Sequence, residues 1–169
     1  MDQVQSFEPI VGRRPRILIL GSMPGVASLE AVQYYAHPRN AFWPIMGELF
    51  AVNHKASYES RICGLEKLPL ILWDTLQVCR RPGSLDSNID ISSAQANDFP
   101  ALLRQFPEIN AIVFNGTTSE KYFRKLVVPI LPGITDIDLL RMPSTSPANA
   151  GMSFAQKLAA WRRILDFID

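Results

Sequence analysis

The sequence predicts an α/β fold, a three-layer αβα sandwich around a four-stranded parallel sheet. Three observations predict it. Apolar runs at Ile17 to Leu20, Leu70 to Trp73 and Ala111 to Phe114, with a shorter one at Ile137 to Arg141, read as strands covered on both faces. Segments of helical period lie between these runs, and such alternation closes as a parallel sheet with helices on either side. Each run also stops at a turn-forming or polar residue: Gly21, Asp74, Asn115 and Met142-Pro143. The loops after the strands (21–40, 74–92, 115–117 and 142–150) therefore line one edge of the sheet.

Residues 1–15 read as an N-terminal arm on the surface, with Phe7 and Ile10 tucked in. After the first strand, Pro24 and Gly25 forbid a simple continuation. Phe42, Ile45, Met46, Leu49 and Phe50 recur at helical spacing and predict a helix over about 41–51, started by the Pro38 loop. Residues 58–67 predict a short helix. Gln77 to Ser93 shows no clear period and reads as a long loop, a feature that is usually functional in a compact domain. Asp98 is placed to cap a helix through Phe106, with Pro100 in its first turn. Thr117 and Glu120 have capping-box spacing for a helix to about Val127. Ser153 and Gln156 form a second such box. Phe154, Leu158, Trp161, Leu165 and Ile168 mark one face of the last helix.

At 169 residues the chain is expected to be one domain, 1–169, with one core. Its 47% apolar and 20% charged residues are those of an ordinary globular protein. A net charge of +1 supplies no bulk drive toward nucleic acid, so phosphate binding falls to local patches and backbone amides. A small-molecule enzyme is compatible with that balance. Cys63 and Cys79 read as small apolar fillers, and a reducing cytoplasm is expected, with no membrane span. With only His37 and His54 and no CxxC, no structural zinc site is expected.

The strand-end loops carry the chain's unusual residues. They are Gly21-Ser22-Met23-Pro24-Gly25, then Tyr34-Tyr35-Ala36-His37-Pro38-Arg39-Asn40-Ala41-Phe42-Trp43, Gly83-Ser84-Leu85-Asp86-Ser87, and Met142-Pro143-Ser144-Thr145-Ser146-Pro147-Ala148-Asn149. In order and spacing these resemble the motifs of the uracil-DNA glycosylase superfamily, and YYAHPRNxFW followed by GSLDS resembles its hypoxanthine-DNA glycosylase branch. The resemblance covers roughly the whole chain. It implies a glycosylase-like fold and a monofunctional enzyme. That enzyme flips a deaminated base out of DNA, hypoxanthine first and uracil or xanthine next, and hydrolyses its N-glycosidic bond to leave an abasic site. Other readings are a uracil- or mismatch-directed enzyme, a nucleic-acid-binding module without catalysis, and a small-molecule enzyme on the same fold.

The resemblance also distributes roles. Many members carry a catalytic Asn or Asp in the first motif, where this chain has Met23. A thioether cannot position water as an amide or carboxylate can; the resembling branch implies that catalysis passes to the Asn of YYAHPRN, here Asn40, whose amide both donates and accepts. Capping the 41–51 helix is the plainer use of that Asn. Tyr35 matches the aromatic on which a flipped base stacks, worth about 1–3 kcal/mol. Tyr34 reads instead as cover for the sheet edge. Gly21, Ser22, Met23 and Pro24 are candidate base-binding residues, and the backbone amides around Ser22 to Gly25, exposed by the proline-glycine elbow, can hold a base oxygen.

Asp74 stands where relatives place a base-reading Asn. A carboxylate accepts from the N1–H of hypoxanthine and offers nothing to the bare N1 of adenine. A turn or cap aspartate is the even alternative. Asn115 is a further pocket candidate, against a turn before Gly116. Arg39, Arg80, Arg81, Ser144, Thr145 and Ser146 are the candidate contacts to DNA. His37 is expected to shape its loop. No lysine lies in these motifs, so a Schiff-base step is not expected. The expected partner is DNA containing deaminated bases, bound by a monomer without metal or cofactor.

Overall fold

A computed structural model describes residues 3–168; the first two residues of the proposed arm and Asp169 lie outside the described residues. The elements run in order as strands β1 (Gln3–Gln5), β2 (Ile10–Val11) and β3 (Ile17–Gly21). Helices α1 (Val26–Ala31), α2 (Phe42–Phe50) and α3 (Tyr58–Leu65) follow. Next come β4 (Leu70–Asp74), β5 (Leu76–Arg80), β6 (Gln95–Ala96), α4 (Phe99–Gln105) and β7 (Ala111–Asn115). The chain closes with α5 (Thr117–Leu126), β8 (Asp138–Met142) and α6 (Phe154–Trp161).

The main sheet has the order β2-β4-β3-β7-β8. Its four long strands are parallel, as expected. A fifth strand, β2, pairs antiparallel with β4, Ile10 opposite Leu72. The segment read as an arm is thus partly sheet. The physical reason is the open edge of β4: its unpaired amides and carbonyls need partners, and a two-residue strand followed by the bonds Gly12 N–Leu70 O and Arg13 N–Leu68 O supplies them. β1 joins a second, antiparallel sheet of order β1-β5-β6.

That second sheet also corrects the long loop expected at 77–93. Its first part is β5, and short 3₁₀ turns follow at Asp86–Asn88 and Ile91–Ser93. Leu76 and Cys79 face a small core with Met23, Ile89 and Tyr122. A register shift between Leu76 and Val78 breaks the two-residue alternation, which is why the sequence shows no period there.

Alternate residues of the buried strands feed two larger cores. Ile17, Ile19, Leu70, Leu72 and Val113 pack with Phe42, Ile45, Met46 and Trp161 on one face. Leu18, Leu20, Ile71, Trp73, Ile112 and Phe114 pack with Phe99, Leu102 and Phe123 on the other. Each fully buried aliphatic side chain contributes about 1.5–3 kcal/mol of transfer free energy. The strands are consequently stiff, and the loops at their carboxyl ends are mounted on a rigid frame.

Asp98 caps α4 through a bond from the Ala101 amide at 3.1 Å, and Ser153 and Gln156 form the expected capping box on α6. The Thr117 box is not formed. Gly116 is the N-cap of α5, at φ +95, and a Cβ there would stand 3.1 Å from the Ser144 side chain. On α6, Trp161 is buried but Phe154 is exposed, and the chain continues as a 3₁₀ turn that buries Ile164. Cys79 is buried as expected, whereas Cys63 is exposed on α3.

Candidate active site

A cleft of about 850 Å³ opens at the carboxyl edge of the main sheet. Strand register assembles it: Gly21 lies opposite Asp74 at the ends of β3 and β4, and Asn115 lies opposite Met142 at the ends of β7 and β8. The cleft wall includes Gly21, Ser22, Met23, Pro24, Tyr35, Asn40, Asp74, Asn115, Ser144, Thr145 and Ser146. Residues far apart in sequence, from Gly21 to Ser146, therefore share one slot. His37, Leu85, Asp86 and Arg141 line it as well. Of these, Leu85 and Asp86 are signalled by the Gly83-to-Ser87 motif without a role; Arg141 carries no signal in the sequence.

Asn40 stands one residue before α2, whose N-cap is Ala41 without a side-chain cap bond. Its Oδ1 accepts from the Phe42 amide at 2.9 Å in an Asx turn, while its backbone amide donates to the His37 carbonyl. The Phe42 bond fixes the rotamer and assigns the amide orientation. Nδ2 then carries both donor hydrogens with no partner among the described residues. His37 shapes the loop by accepting through Nδ1 from the Arg39 amide at 3.1 Å. It acts as acceptor there, so its proton belongs on Nε2.

Tyr34 is cover, as read. It is buried, its hydroxyl donates to the Glu8 carbonyl at 2.7 Å, and its carbonyl accepts from the Trp43 indole. Tyr35 follows with a backbone at φ +54 that few L-residues adopt. One face of its ring is stacked on Phe42 at 4.2 Å and 21°. Its hydroxyl reaches Gly21, beside Asp74, with the Asn115 side chain near it but no well-aligned hydrogen bond formed.

Asp74 is buried at 4% exposure, and its Oδ2 has no partner either. Burial pushes its carboxyl up to about 7; the nearby Asp86 carboxylate adds to this and Arg81 opposes it. The same burial, with Asp74 beside it, raises the Tyr35 phenol.

The elbow is held from behind. Arg81 is buried at 1% exposure, and its guanidinium donates to the carbonyls of Pro24 at 2.6 Å and Gly83 at 2.7 Å, with a longer contact to Met23 at 3.5 Å. Arg81 therefore braces the site wall and is not open to phosphate. Arg80 is directed elsewhere: it is exposed on the second sheet and paired with Asp90 at 2.7 Å, outside the cleft. Arg39 is exposed on the rim loop, as a phosphate contact requires. Ser22 donates through its hydroxyl to Asp86 Oδ1 at 2.8 Å, linking the elbow to the second motif loop.

Asn115 is a clamp. Its Nδ2 donates to the Thr145 hydroxyl at 2.9 Å and its Oδ1 accepts from the Thr145 amide at 2.9 Å. Thr145 is 1% exposed, and its carbonyl accepts from the Ala41 amide. Both residues thus tie the last loop to β7 and to the Asn40 loop; the second Nδ2 hydrogen of Asn115 is left on the cleft side, toward the Tyr35 hydroxyl. Ser144 and Ser146 remain half-buried on the cleft wall, each hydroxyl accepting from an amide two residues on. Trp161 and Lys157 secure the same loop by donating to the carbonyls of Pro143 and Ser146.

Among the described residues no three His, Cys, Asp or Glu side chains converge as a metal cluster, and no helix is long and apolar enough to cross a membrane. The Uracil DNA glycosylase superfamily model matches residues 9–165. A hypoxanthine DNA glycosylase of Methanosarcina acetivorans is 33% identical over 150 residues, 88% of this chain and 90% of that one. The protein of the same description from Methanosarcina barkeri is 34% identical over 119 residues, 70% and 74% of the two chains. A solution NMR structure from Methanosarcina acetivorans, carrying a uracil DNA glycosylase assignment, superposes with a TM-score of 0.77 at 30% identity, covering 97% of this chain and 99% of that one. The motifs, the parallel sheet with its carboxyl-edge cleft and these matches agree: this chain belongs to the uracil DNA glycosylase superfamily.

Proposed function

We propose that this DNA N-glycosylase removes deaminated bases, hypoxanthine first, and that Asn40 orients the attacking water. The observation that carries the reading is the convergence of Asn40, Tyr35 and Asp74 on one cleft deep enough to bury a carboxyl. A base stacked in a duplex is out of reach, so the enzyme needs such a slot to receive it after rotation. Rupture of the N-glycosidic bond leaves positive charge on the sugar and negative charge on the base. Asn40, with its oxygen oriented by the Phe42 amide, has two N–H donors and a second lone pair to hold water against the sugar. Elbow amides around Ser22 to Gly25 are available to the departing base. Hydrolysis by water yields a free base and an abasic site.

DNA is held by its backbone at the rim. Arg39, Ser144 and Ser146 support phosphate contact; Arg141 lines the cleft with its guanidinium 3.6 Å from the Glu120 carboxylate. Leu85, 54% exposed on the cleft rim, is the apolar side chain offered to the gap left in the base stack.

The test incubates duplexes bearing inosine, uracil or xanthosine with the protein, then cleaves abasic sites with alkali. Strand scission at inosine is expected, fastest of the three. Asn40→Ala is expected to lose scission by about 10²-fold or more while melting within a few degrees of the parent. Full activity in that variant would reject Asn40 as the water-orienting group.

A further inference from the structure

Two buried polar atoms of the cleft have no well-aligned partner: Asp74 Oδ2 and the Tyr35 hydroxyl, which has only the Asn115 side chain near it. Leaving such atoms unsatisfied is costly, and in a native protein each such group calls for a reason: strain, a catalytic role, an ordered water or a bound group. Both side chains close over the same backbone atom. A methyl group built on Gly21 would stand 2.5 Å from Asp74 Oδ1 and 2.9 Å from the Tyr35 hydroxyl. The first long strand must therefore end in glycine, and the space above it is flanked by one phenol and one carboxylate.

Stacking on a flipped base would use the ring face of Tyr35 that Phe42 does not cover, and it leaves the position of the hydroxyl unexplained. The residue sits at a left-handed backbone, φ +54, with that hydroxyl over Gly21. A phenol donates one hydrogen; an ionised carboxylate only accepts. Side by side they complement a group with an acceptor beside a donor. A cyclic lactam is such a group: a ring carbonyl next to a ring N–H.

Building on the glycosylase reading above, we propose that Tyr35 and Asp74 act together as a lactam-reading pair. The Tyr35 hydroxyl donates to the 6-oxygen of the flipped hypoxanthine, and the Asp74 carboxylate accepts from its N1–H. Adenine presents the reverse order, an N–H donor at position 6 and a bare acceptor at N1. Adenine would leave the carboxylate facing a lone pair and the phenol facing a donor. Uracil carries the same carbonyl and N–H edge, so the pair admits it. Guanine shares that edge too; its rejection falls to whatever meets the 2-position, and the pair itself separates lactams from amidines. Tyr35 is thus a specificity-determining residue through its hydroxyl.

The test uses equilibrium binding to duplexes that cannot be cleaved, made with 2′-fluoroarabino analogues of inosine, adenosine and purine nucleoside at one position. Purine nucleoside lacks both the 6-oxygen and the N1–H. Anisotropy titrations at pH 8 compare the parent with Tyr35→Phe, which keeps the ring on Phe42. The parent is expected to prefer inosine over purine nucleoside, and Tyr35→Phe to lose about tenfold of that preference while its affinity for the purine-nucleoside duplex stays unchanged. Asp74→Asn provides a second reading: its amide can donate to adenine N1, so its preference for inosine over adenosine is expected to fall by about tenfold. A parent that binds inosine and purine-nucleoside duplexes equally, or either variant keeping the parent's ratios, overturns the pair. Binding ratios can hold while strand scission fails, so loss of the glycosylase reading is distinguishable from loss of the pair.

Discussion

Replacing Asp74 by Asn should stabilise the folded protein in a way that depends on pH. The side chain is 4% exposed, and its carboxyl, near 3.8 in an unfolded chain, is pushed up to about 7 by burial first and the Asp86 charge second, against the pull of Arg81. The groups that face it are Asp86, Arg81, Tyr34 and Tyr35. A raised folded-state value means that the native protein holds this proton more tightly than the unfolded chain does. Its contribution to stability is complete below about pH 4, declines through the interval up to about 7, and is lost above it.

At roughly 1.4 kcal/mol for each pH unit of that interval, the ceiling on the loss is about 4 kcal/mol, and half of that is a reasonable expectation after local relaxation. An amide has the carboxyl's shape and no charge to bury. Urea unfolding of both proteins at about pH 4.5, 6 and 8 is therefore expected to show the advantage of the Asp74→Asn variant growing by about 2 kcal/mol from the lowest pH to the highest. Any constant difference between acid and amide cancels. An advantage that is the same at both ends of the series would refute the reasoning, because it would mean that no charge is being forced into the cleft. The native sequence retains a carboxyl that costs stability at neutral pH, which is the expected signature of a functional position.

Two further perturbations separate the remaining roles. Arg39→Ala is expected to reduce the slope of log affinity for duplex DNA against log salt by about 1, whereas Arg81→Met is expected to leave that slope unchanged and cost about 1–3 kcal/mol of stability, because the Pro24 and Gly83 carbonyls lose their donor. A salt-titration series with a urea denaturation of each variant distinguishes them. Asn115→Ala releases both bonds to Thr145 and is expected to cost about 1–3 kcal/mol and to slow base release on every substrate equally. A changed ratio of inosine to uracil cleavage would show that Asn115 meets the base after all.

Much of the site is legible in the sequence because its chemistry is local. Gly21-Ser22-Met23-Pro24-Gly25 cannot extend a strand, and the Tyr35-to-Asn40 loop has to begin a helix, so both lie at a strand-to-helix corner whatever else the fold does. The basic residues are harder, because a sequence does not say which arginine is paired: Arg80 and Arg81 are neighbours, yet one faces Asp90 in solvent and the other is sealed behind the elbow. Asn115 and Thr145 escape a local reading for the same reason, since their mutual clamp joins residues 30 positions apart. The second sheet is hidden by the shift at Leu76 and Val78.

The sequence by itself determined the four parallel strands, the order of the layers and the corners where a site can form, because burial pattern and turn chemistry act over a few residues. Only the tertiary structure decided which groups are left without partners. Register sets Gly21 against Asp74, and a left-handed residue at Tyr35 swings a phenol into the same space. That juxtaposition depends on pairing between strands distant in the chain, and hydrogen-bond satisfaction is a property of the packed whole that no local pattern encodes.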